Sequence, residues 1–190
     1  MYTQLLAVGF ALLPATFAAP IEARQCTGPN VNAATVALIK EFEGFVASPE
    51  PDPIGLPTVG YGHLCKTEGC GEVPYPFPLT EATATQLMQD DLKSPQQAIT
   101  LDTASAVVLN ANQYGALVSW AFNVGNGNVK SSTLIQRLNA GEDEATVIAQ
   151  ELPKWNKAGG QTLPGLVRRR AAEVDLAQTA TSAPAIPACS

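Results

Sequence analysis

Apolar residues recur at helical spacing through most of the chain. In NAATVALIKEFEGF, residues 32–45, Val36, Ile39 and Phe42 fall near one face, Asn32 is suited to cap the helix start, and Gly44 stands where the helix would stop. The stretch LTEATATQLMQDDL repeats the pattern with Leu79, Leu87 and Leu92 behind a Thr80 cap. Four further helices are predicted at NQYGALVSWAFNVG, SSTLIQRLNAG, EDEATVIAQEL and PGLVRRRAAEVDLA, with Asn139, Ala140 and Gly141 as a helix stop and Pro164 as a helix start. Between Asp52 and Leu64 prolines and glycines exclude helix, and TVGYG predicts a small hairpin or sheet, the one convincing β region. A short β segment after one helix, followed by a run of helices, predicts an α+β domain, mostly helical, with a cleft between lobes.

Length and composition place this pattern in one unit. With 190 residues and 46% hydrophobic content the chain suits a single compact domain. Residues 1–19 contain no Asp, Glu, Lys or Arg, and their apolar run LLAVGFALL leads into the small residues PATFAAP, so they read as a signal peptide of an exported protein. That run is too short to span a bilayer, and no membrane span is expected. Residues 20–25 read as a short propeptide containing Arg24, residues 26–180 as the domain, and residues 181–190, low in complexity, as an extended tail.

Export changes the reading of the four cysteines. In an oxidising compartment an even number favours disulfides, in three connectivities that sequence leaves open. Cys65 and Cys70 are close enough for a local loop, which leaves Cys26 and Cys189 to join the ends. A zinc site would need more ligands than these, and His63 is the only histidine. No metal or other cofactor is expected.

Charge narrows the partners. Lys plus Arg total 11 against 17 for Asp plus Glu, a net charge of −6, which argues against nucleic acid. The cluster VRRRAAEVD is the exception, and it reads as the solvated face of a helix.

The stretch EFEGFVASPEPDPIGLPTVGYGH sets Glu43 at a predicted helix end and Asp52 beyond a proline-rich segment. Two carboxylates across a cleft suit glycoside hydrolysis, in which one acid protonates the leaving oxygen while the other supports the positive charge or a water. On composition alone Glu41 serves as well as Glu43. Spacing by itself leaves both open: Gly44 follows Glu43, with Asp52 nine residues on from Glu43, Thr58 six after that, and Gly62 with His63 ending five after Thr58. This arrangement resembles the catalytic region of the phage-type lysozymes and endolysins, a glycoside hydrolase family, and the resemblance continues from about Val31 to Ala177 through NQYGALVSWAFNVGNGNVKSSTLIQRLNAG and AGGQTLPGLVRRRAAEVDLA.

The resemblance implies a secreted lysozyme, acting as a monomer on bacterial cell-wall peptidoglycan. Glu43 would be the general acid, kept protonated by a partly desolvated cleft. Asp52 would be an ionised stabiliser, and Thr58 would hold the attacking water. Leu64, Phe122 and Thr133 match sugar-contacting positions, with Phe122 equally readable as core. His63 would be structural, with Asp91 as its partner. A chitinase-like glycosidase and a non-catalytic wall-binding protein are the alternatives, separated respectively by digestion of chitin beside peptidoglycan and by any lysis at all.

Overall fold

The computed structural model describes residues 27–51 and 55–187. The segments read as signal peptide and propeptide, together with Asp52, Cys26 and Cys189, lie outside the described residues. Helix α1 spans Ala33–Glu43; the Asn32 side chain accepts from the Thr35 N–H at 3.0 Å, as a helix cap should. The chain then forms a three-stranded antiparallel sheet of β1 (Val46–Pro51), β2 (Pro57–Gly60) and β3 (His63–Leu64), in that spatial order. Helix α2 (Glu81–Asp91) begins in a reciprocal Thr80–Thr83 capping box and packs against β2, where Gly60 faces Leu79, Ala84 and Leu87.

One residue, Leu92, separates α2 from α3 (Lys93–Asp102). Pro95 sits in the first turn of α3, where a missing N–H costs nothing. Strand β4 (Leu109–Asn110) leads into α4 (Ala111–Val124), the helix around which the rest is built. Tyr114 to Ala121 are buried without a break, an all-round burial that only a central helix shows. α1, α3 and α8 (Pro164–Gln178) pack on it, after α5 (Asn126–Ser131), α6 (Thr133–Asn139), α7 (Glu144–Glu151) and a small hairpin of β5 (Lys157–Ala158) with β6 (Gln161–Thr162). The architecture is the expected α+β, mostly helical, with a small sheet lobe.

Three features depart from the expectation. α3 and α5 carry too little periodic signal to have been predicted. The β content is wider than one region: β7 (Pro184–Ile186) pairs with β4, and β5 with β6. The described part of the segment set apart as a low-complexity tail is therefore stitched onto the domain, with Ile186 buried in the core. Most consequential, VRRRAAEVD turns only the first of its three arginines, Arg168, to solvent. Arg169 and Arg170 are 4% and 1% exposed and lie against the fully buried Glu173.

Candidate active site

Glu43 is the last residue of α1. Gly44, at φ 73°, ends the helix in a conformation that side chains avoid and returns its N–H to the Lys40 carbonyl at 3.1 Å. The glutamate is thereby delivered to the junction of the sheet lobe and the helical body. Opposite it, Gly62 makes the turn between β2 and β3 at φ 81°, and a Cβ placed there would stand 2.9 Å from Glu43 Oε2. The turn touches the acid closely because it carries no side chain.

On the sheet side Glu43, Glu50, Thr58, Gly62 and Leu64 line a cleft of about 490 Å³. Glu50 pairs with Thr58 across β1 and β2, and the Thr58 hydroxyl donates to the Glu50 carbonyl at 3.3 Å. Thr58 in turn pairs with Leu64 across β2 and β3, so the ladder register places both on one wall. Leu64 is 48% exposed, an apolar side chain left open to the cleft. Asp52 falls just beyond the described end of β1, and the residue before it, Pro51, lines the same cleft.

On the other side Glu43 opens onto a second hollow of about 380 Å³, with Phe42, Asn123, Leu163, Leu166, Arg168 and Arg169 around it. Arg169 Nη1 donates to Glu43 Oε1 at 2.6 Å and stands over the Phe42 ring. The guanidinium is fixed from behind: its Nε reaches Glu173 Oε1 at 3.3 Å and its Nη2 the Ser119 carbonyl at 3.3 Å. Glu173 also accepts from the Ser119 hydroxyl at 2.8 Å and from Arg170 Nη2 at 3.1 Å. Burial pushes the Glu173 carboxyl up and holds the Arg170 guanidinium down to about 10, while the alternating charges of the two arginines and two glutamates compensate one another.

His63 lies behind the sheet wall, 6% exposed. Its Nδ1 is 2.9 Å from Asp91 Oδ2, and its Nε2 is 3.3 Å from Glu72 Oε1. Burial raises the Asp91 carboxyl. Glu72 is held down to about 2, chiefly by the Thr67 hydroxyl and the Lys66 backbone N–H. Cys65 and Cys70 form a disulfide, and the loop it closes folds back onto Glu72. Among the described residues no cluster of His, Cys, Asp and Glu is arranged to hold a metal ion.

Two of the sugar-contact positions sit elsewhere. Phe122 is half-buried and packs on the core, and Thr133 is exposed at the start of α6; neither lines either hollow. Conversely, Arg169, Glu173, Asn123, Arg168 and Glu72 were not anticipated. The spacing of Arg169 and Arg170 four and three residues before Glu173 was the available signal for a paired cluster.

The sequence profile of the Phage lysozyme family matches residues 40–173. The chain is 38% identical over 159 residues to an endolysin of Bacillus phage B103, aligning 80% of its own length with 56% of that protein. With an endolysin of Salmonella phage P22 it shares 34% identity over 135 residues, covering 71% of this chain and 89% of the relative. It thus spans about half the length of the Bacillus phage relatives and nearly all of the Salmonella phage one. Among solved structures, the muramidase domain of SpmX from Asticaccaulis excentricus superposes with a TM-score of 0.66 at 32% identity, covering 79% of this chain and 98% of that one.

Proposed function

The chain belongs to the phage lysozyme family, and on that premise we propose that it is a secreted lysozyme, an N-acetylmuramidase. The reaction is hydrolysis of the β-1,4 bond between N-acetylmuramic acid and N-acetylglucosamine in bacterial peptidoglycan. The observation that carries this reading is the position of Glu43: one carboxyl group at a helix end, opening onto hollows on both sides, as an acid must to reach a bond in the middle of a bound polymer.

The chemistry follows from what holds each oxygen. Oε1 accepts from Arg169, so the transferable proton belongs on Oε2, the oxygen turned toward Gly62. In the protonated state Glu43 gives that proton to the glycosidic oxygen as the C–O bond breaks, and the sugar ring acquires oxocarbenium character. Ionised Asp52 stabilises this charge. Thr58 holds a water on the face opposite the leaving group; the water adds to the anomeric carbon, releases a proton, and inverts the configuration. Residues 1–19 direct export, and the mature protein meets its polymer outside the cell.

Mass spectrometry of fragments released from purified peptidoglycan tests the reading. The expected products end in reducing muramic acid; fragments ending in reducing N-acetylglucosamine, or no release at all, would refute it.

A further inference from the structure

A third hollow, of about 210 Å³, lies away from the acid, where the residues before α1 meet the joint between α2 and α3. It shares no lining residue with the two hollows at Glu43. Ala84 and Leu87 turn one face of α2 to Gly60 of the sheet, and Gln86, Gln89 and Asp90, at helical spacing on the other face, form a wall of this hollow. Gln96 from α3 also lines it and is only 2% exposed. Its Oε1 accepts from the Val31 N–H at 2.9 Å, which fixes the orientation of the amide. Its NH2 donates to nothing among the described residues, yet it is not sealed from solvent, so it is held open to the hollow. Buried side-chain amides normally have both ends satisfied.

The other polar groups complete a mixed set. Gln86 donates to Gln89 Oε1 at 2.7 Å, which leaves the Gln86 carbonyl as an acceptor and the Gln89 NH2 as a donor. Lys93 donates to Asp90 Oδ1 at 2.7 Å, so these two charges offset one another while the second carboxylate oxygen is left to accept. Val31 and Leu92 add apolar lining. Donors and acceptors without net charge, beside a patch of hydrocarbon, disfavour an ion and match a neutral ligand rich in hydroxyl and amide groups. The space holds about seven waters at roughly 30 Å³ each, or one sugar ring with an acetamido arm. We propose that this hollow binds one N-acetylhexosamine residue of a glycan, outside the catalytic cleft. The Gln96 NH2 donates to the acetamido carbonyl, the Gln86 carbonyl and Asp90 Oδ2 accept from hydroxyls, and the acetyl methyl lies against Val31 and Leu92. The ligand class rests on the hollow alone, whereas its source in the bacterial wall rests on the muramidase reading. A second hold on the polymer keeps the enzyme on an insoluble wall between cuts.

The test uses the full mature protein as wild type, Gln89→Trp and Gln150→Trp. The first variant sets an indole across the hollow from an exposed position, and the second makes the same change on an exposed site of α7 that lines none of the three hollows. Proton–nitrogen NMR with N-acetylglucosamine should show saturable shifts of the Val31 backbone amide and of the Gln96 side-chain NH2, with a Kd on the order of 1 mM. Gln89→Trp should need at least about tenfold more sugar for the same shifts, and Gln150→Trp should follow wild type. Shifts confined to the Glu43 cleft, equal shifts with glucose, or undiminished shifts in Gln89→Trp would overturn the proposal. To find the source, Glu43→Gln is added to all three proteins so that no polymer is consumed, and retention on insoluble peptidoglycan and on insoluble chitin is measured. A loss of about tenfold for Gln89→Trp on one polymer assigns that polymer, and a loss on both assigns their shared N-acetylglucosamine. Unchanged retention on both, or a loss on peptidoglycan that vanishes once its stem peptides are stripped, would overturn the glycan site. If wild type shows the shifts but releases no muramic-acid-terminated fragments, the muramidase reading has failed and the sugar site stands. Fragments without the shifts leave that reading in place and remove the site.

Discussion

On the strand side of Glu43 the cleft is built from the ladder of β1, β2 and β3, edged by Glu50 and Thr58, with Leu64 open to solvent. On the α8 side it is built from arginine and amide donors backed by a buried ion network. The first wall comes from one stretch, residues 43–64; the second joins α1, α4 and α8, with Arg169 meeting Glu43 across 126 positions of sequence. The acid therefore stands at a seam between an acceptor-rich wall and a donor-rich one. The donor wall fixes one of its oxygens, and the other is left for chemistry.

The most severe way to break this comparison is to remove the seam itself. Glu43→Gln keeps the shape and the arginine contact but has no acid proton, so lysis of purified walls should fall by at least ~10²-fold with the fold retained. Glu41→Gln is the control, because Glu41 lines a different groove, with Val36, Phe45 and Tyr61, and should stay active. Near-normal rates for Glu43→Gln would end the assignment.

Next comes the donor wall. Glu173→Gln leaves Arg169 and Arg170 adjacent and buried without their shared counter-charge, and unfolding in denaturant should show a loss of about 3–5 kcal/mol. A loss below about 1 kcal/mol would mean that the network is not what holds Arg169 in place. For the acceptor wall, Thr58→Val should cost roughly tenfold in kcat, a partial loss because Asp52 remains. Proton NMR of the earliest product sharpens the point. An α-anomer first supports a positioned water, whereas a β-anomer first would make Asp52 a nucleophile and remove the role given to Thr58.

The smallest effect lies behind the sheet wall. Glu72 is lowered from 4.5 to about 2 by groups of the disulfide loop, so its hold on that loop is complete above about pH 4.5 and disappears as pH falls through about 2. Hydrogen exchange at the Lys66 and Thr67 amides should be slow at pH 5 and become unprotected, relative to intrinsic rates, near pH 2. Unchanged protection across that range would show that the loop is held by its disulfide alone.

How far each wall was legible depends on what created it. The strand wall is written in local chemistry: Asn32 and Gly44 bracket α1, glycines mark the turns, and the intervals from Glu43 to His63 are fixed by strand length. The donor wall arises from tertiary packing. Arg169 and Arg170 look like surface charges in any window of sequence, and only the Glu173 carboxylate buried under α4 turns them inward. β4 and β7 are short strands, paired 77 residues apart at Leu109 and Ile186, too brief to leave a periodic trace. Phe122 shows the converse, since its helical spacing with Leu117 and Val118 already allowed the core position that it occupies.

The close approach of Gly62 to Glu43 also bears on how such a protein can lose its activity over evolutionary time. Every side chain other than hydrogen at position 62 meets two penalties, a backbone conformation at φ 81° that L residues avoid and a Cβ within 2.9 Å of the acid's oxygen. A single change in that one codon would displace the acid while leaving every candidate catalytic residue in the sequence. Lineages that keep the scaffold for another purpose can therefore fall silent through the turn, and an intact set of Glu43, Asp52 and Thr58 is not by itself the signature of a working enzyme.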